Sequence, residues 1–117
     1  MYRLCVLYGH PHRPSDFDSY YESTHAPLAR RIPGLLRYTY GKCDGEESAP
    51  AAYYSLAELD FASPAAMDAG LASVAGVAAG EDLENFASGG VTLCRLPVAD
   101  WTSGDSATSA AAPTGER

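Results

Sequence analysis

Two rhythms of apolar and polar positions run along this chain, one of period two and one close to 3.6. Residues 2–9 (YRLCVLYG) alternate, with Leu4, Val6 and Tyr8 on one face and Cys5 and Leu7 on the other. That pattern predicts a strand that needs cover on both sides. A loop rich in Pro and His follows over residues 9–14. From Ser15 to Ile32 the period lengthens. Plotted at about 100° per residue, Phe17, Tyr21, Thr24, Leu28 and Ile32 form one stripe with His25 on its flank, and Ser19, Ser23, Ala26 and Arg30 lie opposite. This predicts an amphipathic helix with Ser15 as N-cap and Asp18 reaching back to it, closed by Arg30, Arg31 and the Pro33-Gly34 pair. Pro27 cannot donate the backbone bond that Ser23 would accept, so the helix is expected to kink or loosen beside His25.

Alternation returns in residues 35–43, where Leu36, Tyr38 and Tyr40 oppose Arg37 and Thr39, and again in residues 53–61; the polar stretch 44–50 turns the chain between them. Ser63-Pro64 opens a second helix, with Met67, Leu71, Val74 and Ala78 as a narrow apolar stripe. Gly70, Gly76 and many alanines keep it slim. Residues 81–86 read as a short acidic turn with Leu83 and Phe86 inward. Residues 91–98 form the last strand, and Pro97 suits an edge. Residues 1–98 are thus expected to be one domain. Residues 99–117, small, polar and aperiodic, read as a disordered tail in which Trp101 covers an edge or a subunit partner.

The order βαββαβ is that of an α+β, ferredoxin-like fold: a four-stranded antiparallel sheet with both helices on one face. Strands one and three are apolar on both faces, and Tyr8, Tyr40, Tyr53 and Tyr54 are numerous for a solvated surface. The open face is therefore expected to pack on a second copy as a twofold homodimer, leaving an aromatic-lined pocket between sheet and helices or between the two sheets.

Composition narrows the partners. The chain has 117 residues, 46% of them hydrophobic, and a net charge of −7, which argues against nucleic acid and anionic membrane. No stretch is long and apolar enough to span a bilayer, and the start carries no secretory pattern, so a cytoplasmic protein is expected. Three separated cysteines, with no C-x-x-C pair, fit reduced thiols. Cys5 and Cys94 should lie on neighbouring strands as small hydrophobes. Seven arginines against the single Lys42, with abundant alanine, fit a GC-rich bacterial genome.

His25 is the histidine on a buried-looking face, with Tyr21 one turn before it. An imidazole titrating near neutrality can take and return a proton, and Tyr21, or Tyr20 on the adjacent flank, can hydrogen-bond a developing enolate. Phe17 with Tyr8, Tyr40 and Tyr54 would hold a flat apolar ring. Cyclisation, isomerisation, dehydration and decarboxylation require no more than this. The other reading is a binding or accessory protein, because no second acid or base is fixed beside His25; Glu58 and Asp60 on the third strand are the candidates. His10-Pro11-His12 with Asp16 or Asp18 is the best metal-ligand set, but spacing fixes no third strong ligand. With no phosphate-cradling glycine motif either, no metal and no cofactor are expected.

Val6-Leu7-Tyr8, Phe17-Asp18, Tyr20-Tyr21 and Thr24-His25-Ala26-Pro27-Leu28 together resemble the EthD family of dimeric α/β-barrel proteins, with weaker support from Ser63-Pro64 and residues 82–86. The resemblance covers residues 1–98. It implies a homodimer with a small hydrophobic cavity in each subunit and the family's characteristic histidine at His25. Relatives of the same barrel include polyketide cyclases, muconolactone-type isomerases and cofactor-independent monooxygenases, so the resemblance leaves the reaction open.

Overall fold

The computed structural model describes residues 1–102; the tail expected to be disordered lies, from residue 103 onward, outside the described residues. Four antiparallel strands, β1 (Tyr2–Tyr8), β2 (Arg37–Lys42), β3 (Ser55–Phe61) and β4 (Val91–Pro97), form one sheet in the order β2-β3-β1-β4. This is the predicted ferredoxin-like α+β sheet, with β2 and β4 at its edges. Val98 N–H donates to Met1 O at 2.9 Å, so the neighbouring Tyr2–Pro97 pair falls between ladder bonds. Pro97 therefore forfeits no cross-strand bond.

Leu4, Val6 and Tyr8 of β1 and Ala57, Leu59 and Phe61 of β3 share one sheet face. They pack with Phe17, Tyr21, Ile32, Met67, Ala79 and Phe86 into the core. The opposite face differs from the sequence expectation. Its cross-strand rows are Arg37–Asp60–Arg3–Leu96, Thr39–Glu58–Cys5–Cys94 and Gly41–Leu56–Leu7–Thr92. Tyr8 and Tyr40 instead turn toward the helices, where Tyr40 stacks on Tyr21 with centroids 4.1 Å apart. Alternation pairs Tyr38 with Tyr40 but does not say which side of the sheet they take. Glu58 and Asp60, the proposed second acids, lie on the open face. Arg3 holds Asp60 through Nε at 2.7 Å and Nη2 at 3.1 Å, and its Nη1 lies 3.6 Å from Glu58. Cys5 and Cys94 face each other across β1 and β4 as expected, and all three cysteines are free thiols.

The first helical segment begins at Pro14, not after Ser15: α1 is Pro14–Tyr20, with Arg13 at the N-cap and no side-chain cap. Proline's fixed φ and missing N–H suit the first helical position, which moves the cap and the start two residues earlier than a Ser15 cap would. The predicted loosening is present. Residues Tyr21–His25 form a π turn in which Ala26 N–H bonds Tyr21 O, and α2 (Ala26–Ala29) continues from it. A turn closed by i→i+5 bonds carries more residues per revolution than an α turn. Residues four apart then lie nearly one above the other, and both Tyr21 and His25 are buried.

The second predicted helix is two helices, α3 (Pro64–Ala72) and α4 (Val74–Asp82). Ser73 separates them with an extended backbone (φ −69°, ψ 168°). Its Oγ donates to Gly70 O at 2.6 Å and accepts from Gly76 N–H at 3.0 Å. One hydroxyl thus ends α3 and caps α4. Position 76 must be glycine, because a Cβ there would lie 2.3 Å from Gly70 O. The break also moves the apolar stripe: Val74 is 90% exposed, whereas Gly76, Ala79 and Asp82 are buried.

Candidate active site

The π turn sets His25 against the far end of α4. His25 Nδ1 lies 3.0 Å from Asp82 Oδ2, with both side chains buried. Asp82 Oδ1 accepts from Tyr20 Oη at 2.6 Å and from Asn85 Nδ2 at 2.9 Å. Asp82, the last residue of α4, is a site residue that sequence reasoning missed. Its acidic neighbours, Glu81 and Glu84, make it read as a solvated turn. The signal that could have found it is its three-residue spacing from Ala79 and Gly76 on the inner face of α4.

The two groups have opposite electrostatics. Burial would raise the Asp82 carboxyl, but hydrogen bonds from Tyr20, Asn85 and His25 outweigh it and hold the group below the usual carboxylate range. Burial lowers His25 below its ordinary value, more than the hydrogen bond and charge of Asp82 raise it. At neutral pH the pair is therefore a neutral imidazole against a carboxylate. Nδ1–H donates to Asp82, and Nε2 keeps its lone pair. Nε2 makes no hydrogen bond with any described residue. Replacing Tyr20 with Phe removes one donor to Asp82, so the Asp82 carboxyl should titrate at a higher pH than in the parent, as followed by carboxyl NMR.

His25 lines a cavity of about 710 Å³ between the helix-facing side of the sheet and the helices. Leu4, Val6, Ala57, Leu59, Ala79 and Leu83 are among the apolar residues of its wall, and the polar side chains on it are His25, Tyr8, Tyr21, Tyr38, Glu81 and Arg95. Small residues on α4 make the space, and a Cβ on Gly80 would meet nothing within 4 Å.

Of the predicted site residues, the structure brings His25, Tyr21 and Tyr8 to this cavity. The rings of Tyr21 and His25 are 5.3 Å apart, and Tyr8 packs edge-on to Tyr21 at 5.7 Å. Phe17 lies behind them, edge-on to Tyr8 at 5.3 Å and to Tyr54 at 5.2 Å. Tyr20 reaches the site only through Asp82. Tyr40 lines a separate groove on the other side of Tyr21 and Tyr38. Tyr54 Oη donates to Asp18 Oδ1 at 2.7 Å beside the Lys42–Asp18 ion pair at 2.9 Å. Tyr38, whose Oη lies 2.5 Å from that of Tyr21, joins the cavity although the sequence marked it only as a strand residue. The loop histidines lie elsewhere, and His10 Nε2 contacts Ala51 O at 2.6 Å. Among the described residues no three His, Cys, Asp or Glu side chains cluster as metal ligands.

Sheet order and helix placement define a ferredoxin-like α+β protein, with a histidine–aspartate pair at an apolar cavity. The EthD domain model matches residues 10–90, and the chain belongs to the EthD family. It is 45% identical over 93 residues to an uncharacterized 11.0 kDa protein in the thcB–thcC intergenic region of Rhodococcus erythropolis, an alignment covering 80% of this chain and 90% of that protein. It is also similar to the crystal structure of an ethyl tert-butyl ether D (EthD) family protein from Bacillus halodurans C-125. There the TM-score is 0.80 at 29% identity, over 85% of this chain and 99% of the other. The hydroxynitrile lyase of Passiflora edulis shares the fold at a TM-score of 0.68 and 9% identity, over 87% of this chain and 97% of that one.

Proposed function

We propose that this protein is a cofactor-independent enzyme of the cyclase, isomerase, dehydratase or decarboxylase type, acting by proton transfer on a small hydrophobic cyclic or polyketide-like substrate. The observation that carries the reading is the state of His25. Its Nδ1 is committed to Asp82 at 3.0 Å, its Nε2 has no hydrogen-bond partner among the described residues, and its ring lines an apolar cavity. Such a nitrogen is a general base whose tautomer and orientation are already set. Tyr21 is the partner that hydrogen-bonds the oxygen on which charge develops, and Tyr8 and the aliphatic wall hold the ring. That a hydroxynitrile lyase uses the same fold supports the capacity of this architecture for lyase chemistry. The protein acts as a homodimer through its open sheet face, where Leu7, Leu56 and Leu96 accompany the Arg3–Asp60 ion pair.

The test is proton exchange. Cyclic ketones incubated with the protein in deuterated water should lose α-protons at a rate proportional to protein concentration, followed by NMR. His25→Ala should abolish that exchange while binding an apolar fluorescent ring with unchanged affinity. Binding without exchange in either protein would favour the second reading, a ligand-holding accessory protein.

A further inference from the structure

We propose that the Tyr21–Tyr38 phenol pair is an oxyanion site, and that it restricts the ligand to uncharged carbonyl compounds handled as their enolates. This rests on the proton-transfer reading above and names the substrate class of the same site, which sets decarboxylation, whose substrate is an acid, aside. The two hydroxyl oxygens are 2.5 Å apart and both rings line the cavity. A hydrogen bond between two hydroxyls consumes one O–H only. Tyr21 is also a side-chain hydrogen-bond partner of Tyr8, which lines the same cavity, so three phenols share two bonds and one O–H remains to be donated. A hydroxyl that accepts one bond while donating another is the stronger donor, because each bond polarises the next. Burial raises both phenols, so they stay protonated at neutral pH.

The charges around the pair decide what can sit there. The polar side chains of the inner cavity, His25, Tyr8, Tyr21 and Tyr38, carry no positive charge at neutral pH. Among the described residues, the one cation on the cavity wall, Arg95, is on edge strand β4 and is engaged with Asp68 at 2.7 Å. Arg30, whose charge reaches Tyr38, lines the separate groove with Tyr40 and not this cavity. The Asp82 carboxylate stands directly behind His25. A ligand bringing its own carboxylate or phosphate to this end would lose its water with no counter-charge inside the cavity in return. An uncharged carbonyl compound meets no such penalty, and it becomes an anion only during the reaction. His25 Nε2 takes the α-proton, the C–H electron pair becomes the C=C bond, and the carbonyl π pair moves onto oxygen. That oxygen accepts the free phenol O–H, and the negative charge forms together with the His25 imidazolium. The same proton then returns to carbon, so the step needs no oxidant or co-reactant.

Three probes of one shape separate the claims: naphthalene, 2-naphthol and 2-naphthoate, titrated against the full chain by fluorescence at neutral pH. Naphthol should bind about ten- to a hundredfold more tightly than naphthalene, and naphthoate more weakly than either. The double variant Tyr21→Phe/Tyr38→Phe, which keeps both rings, should bring naphthol to the affinity of naphthalene and leave naphthalene unchanged. In the parent protein alone, substituted naphthols should bind more tightly as their own pKa falls. Equal affinities for naphthol and naphthalene, or tightest binding of naphthoate, would overturn the proposal, as would a full preference that survives the double variant. None of these outcomes depends on His25→Ala abolishing proton exchange, so the site and the base can fail separately.

Discussion

Replacing Asp82 with asparagine should lower turnover by a factor on the order of 10³ while leaving the affinity for an apolar ligand unchanged. The carboxylate accepts from Tyr20, Asn85 and His25 at once, and it obliges His25 to carry its proton on Nδ1. An asparagine amide can turn its NH₂ toward Nδ1. The imidazole then takes the other tautomer and presents an N–H, not a lone pair, to the cavity. The Asp82 charge also raises His25 against the effect of burial, so losing it weakens the base further. The measurement is kcat and KM across pH. The parent rate should rise with pH through a pKa below the ordinary histidine range and stay level through neutrality. The variant should be low throughout with an unaltered KM, and turnover within threefold of the parent would remove Asp82 from the mechanism.

The same pair sets a sign for acid stability. His25 is depressed in the folded state, so the folded state is fully favoured above the ordinary histidine range and loses that advantage as pH falls through the folded pKa. Asp82 is also depressed, and its contribution, present above the ordinary carboxylate range, is lost at still lower pH. Both act in one direction, so stability falls in two stages on acidification. The Asp82→Asn variant retains only the upper one.

Much of this arrangement was legible in the chain because it is local. The stripe Phe17, Tyr21, His25 and the missing N–H of Pro27 lie within three turns of helix, and together they foretell both the buried imidazole and the loosened π turn that aims it. Sheet order, although its pairings are long-range, follows from element order because a βαββαβ chain has few ways to close. What could not be read is what depends on long-range choice. Asp82 meets His25 across 57 residues of sequence, at a helix end whose acidic composition resembles a solvated turn. The face taken by Tyr38 and Tyr40 is a two-way choice that alternation leaves open, and it decides whether Tyr38 reaches the cavity and Tyr40 the groove beside it. The split at Ser73 was masked by helix-forming alanines on either side. A single hydroxyl bonded to both Gly70 and Gly76 overrides their propensity.

Truncation of Phe61 to alanine should cost about 3–5 kcal/mol, a large share of the roughly 5–15 kcal/mol by which a domain of this kind is stable. The ring is fully buried at the end of β3. It fills the space between the turn at Gly34 and helix α3. A Cβ on Gly70 would come within 3.1 Å of its Cε2, and one on Gly34 within 3.7 Å of its Cδ2. Both backbones are thus shaped to this side chain, and they can close only part of the void it leaves. Because α3 continues through Ser73 into α4, and α4 ends at Asp82, loosening this contact also loosens one wall of the cavity and one half of the His25 pair. Urea denaturation should show the midpoint falling with an unchanged slope, and naphthalene affinity should fall with it. Leu93→Ala is the control: unlike Phe61 it lines the cavity itself, but it is 57% exposed, so its cost should stay under about 1 kcal/mol. A Phe61→Ala protein as stable as the Leu93→Ala one would mean that the strand end and α3 collapse onto each other. In that case the placement of Asp82 does not depend on this ring.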